Sequence, residues 1–166
     1  MIYPKKGVTA MKKIYIFSDT HSNISDAVDV IERADRVDAI IHAGDYVNDA
    51  NNISTMFPNI PMYSVRGNGD YFSRGSDNLT ITIDGVKIFI THGHRYNVKS
   101  EFSLRTLKAA GRDAGAKLVV FGHTHSPVVD YEGDMTIVNP GSAGYNHQYA
   151  VVTIENGRVK ASTYRM

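Results

Sequence analysis

The chain has no cysteine among its 166 residues. That removes disulfides, thiolate metal sites and cysteine nucleophiles together, and leaves His, Asp, Glu and Asn as the available ligand chemistry. It also favours an intracellular, cytoplasmic home. Charge of one sign is lacking as well: 18 Lys+Arg stand against 17 Asp+Glu, a formal net charge of +1. There is no broad electrostatic case for duplex DNA, RNA or an anionic membrane as partner, so any anion must be gripped locally. No run approaches the ~20 apolar residues that a bilayer span requires, and no repeat, low-complexity tract or Pro/Ser-rich linker divides the sequence. The opening MIYPKKGVTA lacks the apolar core of a secretory signal, and Met11-Lys12-Lys13 just before the first apolar run looks like a more natural start. Residues 1–10 are expected to be a disordered extension or a start-site ambiguity, and 11–166 one domain.

What is present is an alternation of strand and helix signals that changes character half-way. Lys13 to Phe17 reads as a buried strand, and Ile24, Ala27, Val28, Ile31 and Ala34 follow at helical spacing. Asp38 to Ala43 is a second strand, a polar stretch with a helix follows to Phe57, and Met62 to Val65 is a third strand. After Asp77 come Leu79 to Ile83, Asp84-Gly85, and Val86 to Ile90: a hairpin, hence a second sheet. Phe102, Leu107, Ala110 and Ala114 predict a helix before a strand at Lys117 to Phe121. Short strands are expected near Val128 and Thr136, at Tyr149 to Ile154 and at Val159 to Thr163, with turns at Glu132-Gly133 and Asn156-Gly157. Helices early and hairpins late point to an α/β fold in which two sheets pack face to face with helices outside.

The chemistry-bearing residues follow the strands. KIYIF leads to Ser18-Asp19-Thr20-His21, AIIHA to Gly44-Asp45, MYSV to Arg66-Gly67-Asn68-Gly69-Asp70, KIFI to Thr91-His92-Gly93-His94, and KLVVF to Gly122-His123-Thr124-His125. Each set alone reads as well as a turn, a helix cap or a structural histidine pair. Together they do not, because loops at the carboxyl ends of strands converge where α/β proteins bind ligands. His42, inside an apolar strand, reads as a packed, hydrogen-bonded histidine. His147, in a Gly/Tyr/Asn-rich loop, reads as solvated. Gly141-Ser142-Ala143-Gly144 lacks the spacing of a nucleophile elbow and reads as a loop after Asn139-Pro140.

The ordered set Asp-x-His, Gly-Asp, Gly-Asn-x-Asp, His-Gly-His and Gly-His-Thr-His resembles the calcineurin-like metallophosphoesterase superfamily, and specifically its small single-domain phosphodiesterase branch. That branch often carries the Asn-Pro-Gly-Ser segment found at Asn139 to Ser142. The resemblance implies a four-layer α-β-β-α sandwich of two mixed sheets flanked by helices. It also implies two divalent transition-metal ions at the strand ends, manganese foremost, with nickel, iron or zinc as alternatives. Carried over by position, Asp19, His21, Asp45 and His125 would hold one ion, and Asp45, Asn68, His92 and His123 the other, with Asp45 bridging. The implied activity is hydrolysis of a small or nonspecific phosphodiester by in-line attack of a metal-bridging hydroxide. The alternatives are a phosphomonoesterase, or a catalytically weak interaction scaffold of the same fold, as the retromer subunit exemplifies. Many superfamily members have histidine where this chain has Gly69, so protonation of the leaving group must come from elsewhere or be weak. His94 is the candidate, against a purely orienting role. Asp70 is expected to orient Asn68 or a neighbouring imidazole rather than bind metal. A homo-oligomer is left open, since no interface signature stands out.

Overall fold

In a computed structural model of the protein, Gly7 and residues 10–166 are described. Apart from Gly7 and Ala10, the expectation for residues 1–10 falls outside the described residues. The elements run β1 (Lys12–Phe17), α1 (Ser25–Arg33), β2 (Ala39–His42), α2 (Val47–Met56), β3 (Met62–Ser64), β4 (Asn78–Ile83), β5 (Val86–Thr91), α3 (Arg105–Asp113), β6 (Leu118–Val120), β7 (Val128–Glu132), β8 (Met135–Asn139), α4 (Ala143–Asn146), β9 (Gln148–Glu155) and β10 (Arg158–Arg165). Among them, no helix is long and apolar enough to cross a membrane.

The strands form two five-stranded mixed sheets, ordered β10-β9-β1-β2-β3 and β4-β5-β6-β8-β7. In the first, β1, β2 and β3 are parallel, β9 pairs antiparallel with β1, and β10 pairs antiparallel with β9. In the second, β5, β6 and β8 are parallel, with β4 and β7 antiparallel at the edges. Parallel strands buried on both faces should read as near-continuous apolar runs, and β1, β2 and β6 do.

Alternation along each central strand builds the layers. Ile14 and Ile16 of β1 point between the sheets, where they join Ile41, Val65, Ile88, Ile90, Leu118, Val120, Val138, Val152 and Ile154 in the central core. Tyr15 and Phe17 point the other way, onto Ala27, Val28 and Ile31 of α1 and Ile53 of α2. On the far side Phe89, Val119, Phe121 and Ile137 meet Leu107 of α3. Helix α3 approaches its sheet closely, because a Cβ on Gly111 would lie 2.5 Å from Val119 Cγ2 and 2.9 Å from the sulfur of Met135. The result is the expected α-β-β-α sandwich.

Two local expectations are corrected. Phe102, read as part of the apolar face of α3, lies before that helix and is fully exposed. It stands five positions before Leu107, a spacing off the 3.6-residue period, so its apolar character alone suggested the earlier start. The stretch after Asn139-Pro140, read as loop, contains the single turn α4, started by Ser142, whose hydroxyl accepts the Tyr145 N–H at 3.1 Å. A one-turn helix is too short to leave a period in the sequence.

Candidate metal centre

Because β1, β2 and β3 are parallel in one sheet, and β5 and β6 in the other, their carboxyl ends put five loops side by side. The loop after β1 brings Asp19 and His21, the loop after β2 brings Asp45, and the turn after β3 brings Asn68. From the second sheet come His92 and His94 after β5, and His123 and His125 after β6. Backbone conformation is unusual here. Asp19, His21, Asp45, His123 and His125 all have positive φ, between 47° and 68°. Non-glycine residues in this region carry local strain, which concentrates at functional sites.

Six of the seven residues expected as ligands bring ligand atoms together in one cup, and His123 borders it through its ring. Asp19 Oδ1 lies 3.1 Å from His125 Nε2, 3.8 Å from His21 Nε2 and 3.8 Å from His92 Nε2. Asp45 Oδ2 lies 3.5 Å from His92 Nε2 and 3.9 Å from His21 Nε2. Asn68 Oδ1 is 3.1 Å from His92 Nε2, and the His123 ring is centred 5.0 Å from that of His92. Two sets of three have ligand atoms close enough to share an ion: Asp19, His21 and His125, and Asp19, Asp45 and His92. Both carboxylates therefore stand between the two groups of imidazoles, so Asp19 is placed to be shared as well as Asp45.

The donor set fits a cation on its own terms. His92 Nδ1 lies 2.8 Å from the Ala43 carbonyl, which fixes the proton on that nitrogen and turns the Nε2 lone pair toward the cup. There it faces oxygens of Asn68, Asp45 and Asp19. A lone pair ringed by acceptors is repulsive unless a proton or a metal sits among them. His21 Nε2 is buried with no hydrogen-bond partner, although it points at the same two carboxylates.

Electrostatics without metal follow. Burial opposes charging His92, but its hydrogen bond to Asp45 and the negative charges of Asp19 and Asp45 win and raise its pKa. Burial likewise opposes the Asp45 carboxylate, yet His92, the Gly69 N–H at 2.9 Å and His21 hold it well below the usual carboxylate range. Burial, helped by charge on His92 and Lys99, pushes His123 down to about 4, leaving it neutral and ready to ligate at pH 7. His94 is lowered too, by burial and then by charge on His92 and Arg95.

Supports around the cup account for its shape. Ser18 Oγ donates to Asp19 Oδ2 at 2.6 Å and the His123 N–H does so at 3.1 Å, which leaves Oδ1 for the cup. Asp70 accepts the N–H groups of Val47 and Gly67, both at 2.9 Å, bracing the turn that carries Asn68; it acts through the backbone rather than on an imidazole. His42 is packed and hydrogen-bonded as expected. It takes the Gly44 N–H on Nδ1 at 3.3 Å and faces Thr20 Oγ1 at 3.0 Å through Nε2, with its pKa lowered to about 4 chiefly by burial. His147 is half-exposed and paired with Asp26, away from the cup. Sequence reasoning missed Asp49, whose buried carboxylate accepts the Thr20 hydroxyl at 2.6 Å and the Ser22 N–H at 2.8 Å and so holds the His21 loop. It also gave no task to Asn139, which donates to Gly122 O at 3.0 Å and Thr124 Oγ1 at 2.9 Å, or to Ser142, which donates to Asp19 O at 2.9 Å.

The sequence profile of the calcineurin-like phosphoesterase superfamily domain matches residues 11–157. The chain belongs to this superfamily. Among curated relatives of this calcineurin-like phosphoesterase, the probable metallophosphoesterase YsnB of Bacillus subtilis is 28% identical, over 91% of this chain and 89% of the relative. The phosphodiesterase MJ0936 of Methanocaldococcus jannaschii is 31% identical, over 80% of this chain and 86% of the relative. Among solved structures, a predicted phosphoesterase from Streptococcus pneumoniae TIGR4 superposes with a TM-score of 0.76 at 24% identity, covering 94% of this chain and 99% of that one. The calcineurin-like phosphoesterase described here is thus a metal-dependent phosphoester hydrolase.

Proposed function

We propose that this hydrolase is a dinuclear phosphodiesterase acting on a small diester. The observation that carries the proposal is the placement of the Asp19 and Asp45 carboxylates between the His21 and His92 imidazoles, with His125 against Asp19. In it, Asp19, His21, Asp45 and His125 hold one ion and Asp45, Asn68, His92 and His123 the other. When bound, two divalent ions would supply an activated water and the positive charge that phosphoryl transfer needs. The protein's own part is to hold that geometry. Ala43 O keeps the His92 proton off the cup, Gly69 N–H and Ser18 Oγ aim the two carboxylates, and low basicity keeps His123 neutral. Imidazole, carboxylate and amide without thiolate suit first-row divalent ions such as manganese, nickel, iron or zinc, and the family resemblance puts manganese first. The cysteine-free composition and balanced charge support a cytoplasmic enzyme for a small or nonspecific diester, not for duplex nucleic acid or a membrane.

Chelator-stripped protein is expected to lose hydrolysis of bis(p-nitrophenyl) phosphate and to regain it with manganese, at two ions per chain by metal analysis. Under the same conditions p-nitrophenyl phosphate should be the poorer substrate. A preference for the monoester would make the enzyme a phosphomonoesterase, and hydrolysis of neither despite two bound ions would favour an interaction scaffold.

His94 is the proposed proton donor to the leaving group. Its ring is centred 5.6 Å from His92 and 6.2 Å from His123, and its buried Nδ1 has no hydrogen-bond partner. Its lowered pKa works against storing that proton, which bears on the size of the effect. His94→Ala is expected to slow diesters with alkyl leaving groups by about 10²-fold or more, and those with p-nitrophenolate far less. An equal loss on both, measured as kcat/KM, would leave His94 only an orienting role.

A further inference from the structure

Beside the cup lies a cleft of about 310 Å³, lined by Asn68 and His94 on the cup side and by Arg66, Arg95, Asp77 and Tyr71 beyond. Its volume is at the lower end of the ~300–1,000 Å³ typical of small-molecule sites. Its charge is balanced. Asp77 Oδ1 accepts Arg66 Nη2 at 2.8 Å and Oδ2 accepts Arg95 Nη2 at 3.0 Å, while Asp70 offsets the second cation. A second phosphate has no excess positive charge to meet it there.

What the cleft offers instead is an aromatic face. Tyr71 is 83% exposed, and Phe72 beside it is 103% exposed. Single exposed aromatics are ordinary, but these stand on a loop with little slack. Asp70 is tied to Val47 and Gly67. Arg66 reaches Ser73 O at 3.2 Å through Nη1 and Asp77 Oδ1 at 3.1 Å through Nε, and its own N–H donates to Ser76 O at 2.9 Å. An anchored loop that holds an aromatic ring in water contributes nothing to the core through that ring. It does supply a flat, pre-organised surface at low entropic cost.

We infer that the diester hydrolysed is a nucleoside phosphodiester, its phosphate at the metal cup and its base stacked on Tyr71 in the adjoining neutral cleft. The inference rests on the phosphodiesterase reading of the cup and adds the class of alcohol that the substrate carries. Stacking suits any base, since each has a π-face, so preference for a nucleoside without strong base selectivity follows.

The test compares two monoesters of primary alcohols, thymidine 5′-monophosphate and glycerol 3-phosphate, by calorimetry on the manganese-loaded protein. The nucleotide is expected to bind at least about tenfold more tightly, as one base stacked on an aromatic side chain provides. The ratio of the two dissociation constants is the readout. It should fall toward one in Tyr71→Ala and persist in Tyr71→Phe, which keeps the ring and loses the hydroxyl. Equal affinities in the wild type, or a ratio that survives Tyr71→Ala, would overturn the assignment. Binding of neither monoester would instead bring down the reading of the cup itself, and this inference with it.

Discussion

Replacing Asp45 by asparagine should reduce the kcat of phosphoester hydrolysis by at least ~10³-fold, because it removes charge both from the proposed ion site and from the transition state that site would stabilise. Asp45 is buried, and its two oxygens have separate tasks. Oδ1 accepts the Gly69 N–H at 2.9 Å, and Oδ2 lies between His92 Nε2 at 3.5 Å and His21 Nε2 at 3.9 Å. An amide has one acceptor for these two duties. If the amide oxygen stays on Gly69, the NH₂ group enters the cup where a lone pair is required; if it flips, two N–H groups confront each other at the turn. Bound metal should therefore fall from the proposed two ions per chain to one or fewer, while far-ultraviolet circular dichroism stays like that of the parent. Two ions retained with activity within tenfold would show that Asp45 is not central to the site.

Gly67→Ala is expected to lower kcat/KM by roughly 10²-fold, the scale on which a 1 Å displacement of catalytic groups acts. A Cβ at Gly67 would fall 1.9 Å from Asp45 Oδ1 and 2.5 Å from the Asp45 backbone nitrogen. Neither neighbour can yield without moving the loop after β2. At Gly69, two residues on, the same atom would meet Asp45 Oδ1 at 3.4 Å, an ordinary contact. Gly69→Ala should thus retain far more activity than Gly67→Ala, and raising manganese concentration should restore the Gly67 variant in part. Comparable activities across the two variants would mean that close approach at Gly67 does not position the carboxylate.

The layer order and the convergence of the strand-end residues were legible in the sequence for one reason. Strands buried on both faces are written as short apolar blocks, and chemistry placed at their carboxyl ends appears immediately after each block. Lys13 to Phe17 and then Asp19-x-His21 is the clearest instance. The bracing was much harder to read. Asp49 lies 29 residues from the Thr20 hydroxyl it receives, and Ser142 lies 123 residues from the Asp19 carbonyl it holds. Neither pairing leaves any spacing signal. Asp49 in particular resembles any acidic residue in the first turn of a helix. Phe102 misled for the opposite reason: its apolar character suggested a helix start ahead of the backbone, which becomes helical only at Arg105. The sharing of Asp19 between both groups of imidazoles is also a matter of rotamer and loop conformation, which residue order does not encode.

The cup draws Asp19, His21, Asp45 and Asn68 from one sheet and His92, His123 and His125 from the other. Its candidate ligands thus lie across the seam of the sandwich, so a cation bound there would work as a rivet through two plates. Sliding one plate by an ångström would open the coordination sphere before it exposed much of the apolar interior. Loss of cation should then be an early sign of slippage between the layers, preceding unfolding of either.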